Sequence, residues 1–181
     1  MHGAVTLRFR PRSRPSPRTS ERVALTETFL HMKTLYDPER AAEVKARIAR
    51  LTPGSERKWG TMTAAQVVSH CVRGMQMATG ELRIPRIFIG RLIGWKIKSM
   101  VLRDDAPFRR NSPTARELVV KGEPDLETGR AQLLAEVDRF ALAGPAGCTT
   151  HPHPFFGRMT PDEWALLGYK HLDHHLRQFG V

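Results

Sequence analysis

The sequence has little cysteine and no long apolar run, and each absence excludes a class of protein. Among its 181 residues only Cys71 and Cys148 are cysteines, too few for a disulfide framework, which favours a reducing, cytoplasmic location. No stretch of about 18 uncharged apolar residues occurs, so no membrane-spanning segment is expected. With 40% apolar and 26% charged residues, the chain is typical of a globular protein that buries a core without disulfides.

Strand patterns are also scarce, because only residues 84–89 and 118–120 form short apolar or β-branched runs. These runs are too few to build a sheet. Four amphipathic helices are predicted instead, each with apolar residues at every third or fourth position. Asp37, Thr63 and Thr160 are the expected N-caps of the first, second and fourth helices, and the third is expected to run from about Asp125 to Ala141. The pattern predicts an all-α fold, a four-helix bundle in which residues 80–124 form a long crossover with a helical segment of its own.

Basic residues exceed acidic ones by 11, and the excess is uneven along the chain. Residues 1–31 contain six arginines against Glu21 and Glu27, together with several prolines and serines. This segment is predicted to be a disordered basic tail, or else a mis-annotated start, with translation beginning at Met32. It also lacks the apolar core of a secretory signal. Residues 32–181 are therefore expected to form the folded domain.

Residues 82–103 come nearest to an apolar span, but six basic residues interrupt them and no acidic residue balances these charges. Such a segment either packs on its own domain, with its long basic side chains in solvent, or lies on an anionic membrane surface. We expect packing on the domain. The positive charge is also compatible with nucleic-acid binding. No helix suited to reading a groove and no aromatic stacking platform is apparent, so no specific nucleic-acid partner is expected.

Three of the eight histidines fall on helix faces that point toward the core. His171 and His175 are four residues apart on the same stripe as Trp164, whereas His174 is expected to point to solvent. His70 lies on the inward stripe of the second helix. Three imidazoles on facing helices can bind one transition metal and leave a coordination position open, as in catalytic zinc sites. The alternative is three ordinary core histidines, and spacing alone does not decide between these interpretations.

Three segments carry a resemblance to a known family. They are WGTMTAAQVVSHC at 59–71, APFRRNSPT at 106–114 and HPFFGRMTPDEWALLGYKHLDHHLRQFG at 153–180. From residue 32 to residue 181 the chain resembles the DinB/YfiT-like superfamily. The resemblance implies an up-down-down-up four-helix bundle and a divalent metal, zinc or nickel, held by His70, His171 and His175. It also implies a low-molecular-weight thiol as a cofactor, since some members are transferases that use bacillithiol or mycothiol.

The expected function is a metal-dependent enzyme that acts on a small-molecule substrate, either a thiol transferase or a hydrolase. A metal with an open position produces a nucleophile at neutral pH, because it lowers the pKa of bound water or binds a thiolate. The alternative is a non-catalytic protein that binds a metal or a ligand. A chain of this size is also compatible with a homodimer.

Further candidates are expected around the three histidines. Gln178 and Tyr169 are candidates for hydrogen bonds to the metal ligands, and Arg109 is a candidate for holding an anionic substrate. No clear general base is found among the acidic residues. Helical spacing places Glu163 on the outer face of the last helix and Asp173 off the face that carries the metal ligands.

Overall fold

The computed structural model describes residues 32–112 and 115–181. Over these residues the chain is all-helical, with five α-helices and no strand. The α-helices are α1 (Pro38–Ala49), α2 (Ala64–Thr79), α3 (Phe88–Val101), α4 (Leu126–Ala143) and α5 (Pro161–Gln178). Two short 3-10 helices, Arg116–Leu118 and Gly144–Gly147, lie on either side of α4 in the chain. The tail or mis-annotated start predicted for residues 1–31 lies outside the described residues.

Side-chain caps fix where four of the helices begin, and the caps at Asp37, Thr63 and Thr160 are the predicted ones. Asp37 and Asp125 accept hydrogen bonds from backbone N–H groups in the first turns of α1 and α4. Thr63 and Thr160 form complete capping boxes with the residues three positions later, at the starts of α2 and α5. Each box provides partners for two backbone groups that the helix itself leaves unpaired. The caps therefore set which side chains of α2 and α5 face each other.

Helices α1, α2, α4 and α5 pack on one another around an apolar core. Helix α1 contacts α4 and α5, and α2 contacts the same two helices, most extensively α4. The core side chains are almost fully buried. The large side chains buried most completely are Leu35, Val44, Ile48, Leu51, Val67, Val68, Leu133, Val137, Phe140, Leu166 and Leu172. Burial of this apolar surface is the main contribution that favours folding, and it holds α2 against α5.

The crossover between α2 and α4 contains α3 and, within its described residues, no strand. Two runs are candidates for strands. Run 84–89 ends in a helix, because α3 begins at Phe88, and run 118–120 begins with Leu118, the last residue of a 3-10 helix. No neighbouring strand is present in the described ranges to complete a ladder of hydrogen bonds with either run. Instead, Ile87 donates its N–H to the carbonyl oxygen of Pro154.

Helix α3 packs on the domain through two glycines. Gly90 and Gly94 are its buried residues, and both lie against the backbone of Phe155. A side chain at Gly94 would overlap the carbonyl oxygen of Phe155, so this close approach requires glycine. The large apolar side chains of α3 therefore point away from the domain. None of the helices in the described ranges is long and apolar enough to cross a membrane.

Candidate metal centre

Three histidine side chains from two helices converge inside the domain. His70 comes from α2, and His171 and His175 come from α5, one turn apart. One ligand nitrogen of each lies within 4.8 Å of the other two, and the Nε2 atoms of His70 and His171 are 2.9 Å apart. Two nitrogens that each lie about 2.0–2.1 Å from one zinc ion are separated by roughly 3 Å. The three histidines are therefore close enough together to hold a metal ion.

Hydrogen bonds to the outer ring nitrogens assign the protons of two of these histidines. Nδ1 of His70 lies 3.0 Å from the carbonyl oxygen of Leu118, and Nδ1 of His175 lies 3.0 Å from Oε1 of Gln178. Because both oxygens only accept hydrogen bonds, Nδ1 donates in each pair and Nε2 of the neutral ring keeps its lone pair. Gln178 is held in turn, since its Nε2 donates to the carbonyl oxygen of Trp59 over 2.7 Å. Metal-binding histidines are typically oriented by such bonds.

Two glycines make room for this arrangement. A Cβ atom at Gly74, one turn after His70 on α2, would lie 3.0 Å from Cε1 and Nδ1 of His171. The missing side chain therefore lets the His171 ring approach α2. Gly60 has a φ angle of +79°, which glycine adopts without strain, and a Cβ atom there would overlap the amide of Gln178. Gly74 thus leaves room for the His171 ring, and Gly60 leaves room for Gln178, which orients the His175 ring.

Burial keeps the three rings neutral. It is the largest cause of the lowered pKa of His70, His171 and His175, and it brings the pKa of His175 to about 3. Repulsion from neighbouring imidazoles lowers the pKa of His171 and His175 further. Neutral imidazole is the form that binds metal, so all three rings are in the form that can bind metal at neutral pH. His171 lies deep in the domain yet keeps a partly accessible surface, whereas the other two rings are buried.

A fourth histidine lies beside these three and corrects one expectation. His174, predicted to point to solvent, is buried. Its ring centroid lies 5.2 Å from that of His175, 6.0 Å from that of Trp59 and 5.8 Å from that of Phe108. Residues before α2 and after α3 fold over this face of α5, a contact that spacing within one helix does not reveal. The Arg110 guanidinium lies on the Trp59 ring, 4.4 Å from its centroid.

The other residues predicted for the site take different positions. Gln178 contacts His175, as the hydrogen bond above shows. Tyr169 faces α1, where burial and the carboxylate of Glu43 raise the pKa of its hydroxyl. Arg109 is exposed. Within the described residues, neither Tyr169 nor Arg109 forms a hydrogen bond with any of the three histidines.

Both acidic residues considered as a general base are held in ion pairs. Asp173 is buried between Arg47 and Arg177, with N···O distances of 2.8 and 2.7 Å. Glu163 pairs with Lys98 at 2.7 Å and also closes the capping box of α5. A carboxylate in such a pair stabilises the fold and is not free to act as a base, because breaking a buried pair leaves an uncompensated charge. The site therefore lacks a free carboxylate from either position.

Sequence reasoning misses the residues that position the ligands. They are Trp59, Gly60, Gly74 and Leu118. The carbonyl groups of Trp59 and Leu118 carry no side-chain signal, so no pattern predicts their use. Gly74 does carry a signal, because a glycine four residues after His70 on the inward face of a helix indicates a close approach.

Comparison with known proteins places the chain in a family. No curated protein and no solved structure matches it. Residues 32–180 match the model of a family described as a protein of unknown function, DUF1569. The match covers all five α-helices and the three converging histidines. The chain therefore belongs to the DUF1569 family.

Proposed function

We propose that this chain is a divalent-metal-dependent enzyme whose metal is held by His70, His171 and His175. One observation carries the proposal, the convergence of three neutral imidazoles from two helices to within 4.8 Å. Polar groups inside a protein are costly unless each has a partner, and in the described part of the chain the inward nitrogens of these rings face one another. A single metal ion provides a partner for all three.

The donor set suits zinc or nickel, since imidazole nitrogen is a good ligand for both. Three protein ligands leave a coordination position for a further group. When bound, the metal supplies a Lewis acid that lowers the pKa of a water or a thiol toward neutrality. A small-molecule substrate would approach beside His171, the one of the three residues that keeps some accessible surface.

The reaction we favour is transfer of a low-molecular-weight thiol to a small electrophile, with hydrolysis as the second form of the same chemistry. The resemblance to the DinB/YfiT-like superfamily supports the thiol, because some members are thiol-dependent transferases. The chain's own residues orient the proposed ligands and pack beside them. Gln178 holds the His175 ring, Gly74 admits the His171 ring, and the rings of Trp59 and Phe108 cover His174 beside the site.

We also propose that α1, α2, α4 and α5 form an up-down-down-up bundle of the DinB/YfiT-like type. Their contacts support this arrangement, since they run from α1 to α4, from α4 to α2, from α2 to α5 and back to α1. A long connection between α2 and α4 allows two successive helices to run in the same direction. Two free cysteines, Cys71 and Cys148, favour a cytoplasmic location for this domain.

A non-catalytic metal-binding protein is the second candidate, and one observation favours it. The carboxylates of Asp173 and Glu163 are both held in ion pairs, so neither is free to move a proton at the site. A protein of this kind would keep the bundle and the metal without turning over a substrate.

Elemental analysis of tag-free protein tests the metal. We expect about one zinc or nickel ion per chain in the wild type, and less than about a tenth of that in His70→Ala. His174→Ala is the matched control, since it removes a buried imidazole that is not a proposed ligand. A wild-type protein that stays metal-free after incubation with zinc and nickel contradicts the proposal, as does equal metal loss in both variants.

Turnover distinguishes the two candidates. The metal-loaded wild type and His171→Ala are each incubated with a panel of small thiols and small electrophiles, and loss of the free thiol is measured. Loss in the wild type alone supports the transferase. A thermal shift with ligands but no consumption of thiol or electrophile favours the non-catalytic protein.

A further inference from the structure

The outer face of α3 is strongly apolar and exposed. Phe88, Leu92 and Trp95 leave 76%, 56% and 68% of their surfaces accessible. Isolated apolar residues on a surface are ordinary, but a contiguous apolar patch marks an interaction site. These three residues follow one another at spacings of four and three positions, so they lie on one stripe of the helix.

The packing of α3 explains why this stripe faces outward. Gly90 and Gly94 lie on the opposite side of the helix and bring its backbone against Phe155. Lys98 fastens the same inner side, since it contacts the carboxylate of Glu163 at 2.7 Å and donates to the carbonyl oxygen of Arg158 at 3.0 Å. Within the described ranges, the helix is thus held by its small residues and one lysine, and Phe88, Leu92 and Trp95 stay exposed.

Basic side chains flank the apolar stripe. Arg91 and Lys96 lie on either side of it and are exposed, and neither forms an ion pair within the part of the chain that the structure describes. From residue 82 to residue 103 there are six basic residues and no acidic one. The surface around α3 is therefore both apolar and positively charged.

Charge complementarity distinguishes among the three possible occupants of this face, which are a second copy of the chain, residues 1–31 and a lipid bilayer. A second copy would bring Arg91 and Lys96 against the same residues, which is electrostatically unfavourable. Residues 1–31 of the same chain carry six arginines against two acidic residues, so their charge has the same sign as that of the face and does not favour this segment as the occupant. An anionic lipid bilayer offers negative headgroups for the basic flanks and an apolar interior for the stripe.

We propose that α3 is an interfacial helix that binds the surface of an anionic bilayer. Helices that lie in a membrane interface combine tryptophan, phenylalanine and leucine on one face with lysine and arginine beside it. Trp95 is suited to the headgroup level, where its ring is partly in apolar surroundings and partly in water. This inference is independent of the metal site, because none of its residues contacts the three histidines.

Vesicle sedimentation with the full-length protein tests the proposal. We expect binding to vesicles of phosphatidylglycerol and phosphatidylcholine at low salt, and little binding to phosphatidylcholine alone. Leu92→Glu should lower the partition coefficient at least about tenfold, since it places a charge in the apolar stripe. Leu142→Glu is the matched control, because Leu142 is 87% exposed on α4 and its substitution should leave binding unchanged. Circular dichroism confirms that both variants fold.

Three results overturn the proposal. The first is absence of binding to the anionic vesicles at low salt. The second is binding that Leu92→Glu does not weaken, which would assign it to the arginines of residues 1–31. The third is a dimer that Leu92→Glu dissociates, with no vesicle binding, which would assign the face to a second copy of the chain. Quenching of tryptophan fluorescence by brominated lipid that disappears in Trp95→Phe supports the proposal directly.

Discussion

Helix α5 is buried on nearly all sides, whereas α3 is buried only along the line of Gly90 and Gly94. Composition alone would predict the reverse, since α3 consists mainly of large apolar residues and α5 carries histidines and charged residues. The difference is in the neighbours of each helix. Helix α5 is covered by α1 and α2 and by residues around Trp59 and Phe108, whereas α3 meets chiefly the turn at Phe155.

The polar residues of α5 show what such burial requires. Asp173 pairs with two arginines, and Lys170 donates to the carbonyl oxygens of Val101 and Asp104 at 2.5 and 2.6 Å. The inward Nε2 atoms of His70 and His171 lie 2.9 Å apart, and we propose a metal as the shared partner of these two nitrogens and of His175. For the apolar stripe of α3 we propose a bilayer as the partner. Imidazoles buried against one another on α5 and α2, and apolar side chains left exposed on α3, each indicate a ligand.

The largest effect on zinc affinity is expected at Gln178, which orients the proposed metal ligand His175. Gln178→Leu removes the acceptor of His175 Nδ1 and the bond to the Trp59 carbonyl, so the His175 ring loses its fixed orientation. We expect zinc affinity to fall by about 10–100-fold. Competition with a chromophoric chelator measures this change.

Gln66→Leu is the matched control for that experiment. The Gln66 amide also bonds to backbone groups, the N–H of Thr63 and the carbonyl of Gly122, but within the described residues it forms no hydrogen bond with any of the three histidines. This variant should lose stability and keep its zinc affinity. Equal losses of affinity in the two variants would show that Gln178 acts only through the fold.

The next effect concerns the attachment of α3. Gly94→Ala places a Cβ atom against the carbonyl oxygen of Phe155, and we expect the free energy of unfolding to fall by about 1–3 kcal/mol. Zinc affinity should stay unchanged if the two regions are independent. Urea unfolding and zinc titration measure the two quantities. Gly54→Ala is the control, because its Cβ atom would make only an ordinary contact, 4.0 Å from Oγ1 of Thr52. A joint fall in stability and zinc affinity would show that α3 supports the histidine site.

Much of the site follows from local spacing. Thr63 and Thr160 set the starts of α2 and α5, and the periodicity after each cap places His70, His171 and His175 on inward faces. The sequence therefore predicts the helices and the candidate ligands. The tautomers of His70 and His175 follow from the carbonyl groups of Leu118 and Gln178, and the backbone oxygen of Leu118 leaves no mark in the sequence.

What the sequence does not predict depends on contacts between distant segments. His174 is buried because Trp59 and Phe108, from two other parts of the chain, cover it. Helix α3 turns its glycines inward because the backbone of Phe155 approaches there, and the large side chains then have no room on that side. Helical periodicity ranks the faces of one helix by hydrophobicity, and here a face of small residues is the one that packs.

A smaller effect is expected at Gly74, and its two readouts should move in opposite directions. Gly74→Ala raises helix propensity, which stabilises the folded chain by up to about 1 kcal/mol. The same methyl group presses on the His171 ring, so we expect zinc affinity to fall about tenfold. Gly129→Ala, which meets Val68 on α2 at a similar distance of 3.2 Å, should leave zinc affinity unchanged. Unchanged affinity in Gly74→Ala would mean that the ring has room to shift.

The smallest effect concerns the turn that supports α3. Nδ1 of His153 accepts hydrogen bonds from the backbone N–H groups of Phe155 and Phe156, both at 3.1 Å. Burial, and secondarily the charge of Arg86, lowers the pKa of His153 to about 4. Between about pH 6.5 and pH 4 the unfolded chain therefore binds more protons at this position than the folded chain. The stabilisation is complete above pH 6.5 and is lost as the pH falls toward 4.

His153→Asn isolates this contribution. The asparagine oxygen can accept the same backbone hydrogen bonds but does not titrate, so the stability advantage of the wild type over the variant should shrink by about 1–2 kcal/mol between pH 7 and pH 4. Urea unfolding of metal-free protein measures the difference, in which the titration of the other histidines cancels. Phe156→Leu is the control, because it removes the ring that stacks on His153 without removing a titrating group. A constant difference between wild type and His153→Asn would show that the turn holds α3 equally well with His153 protonated.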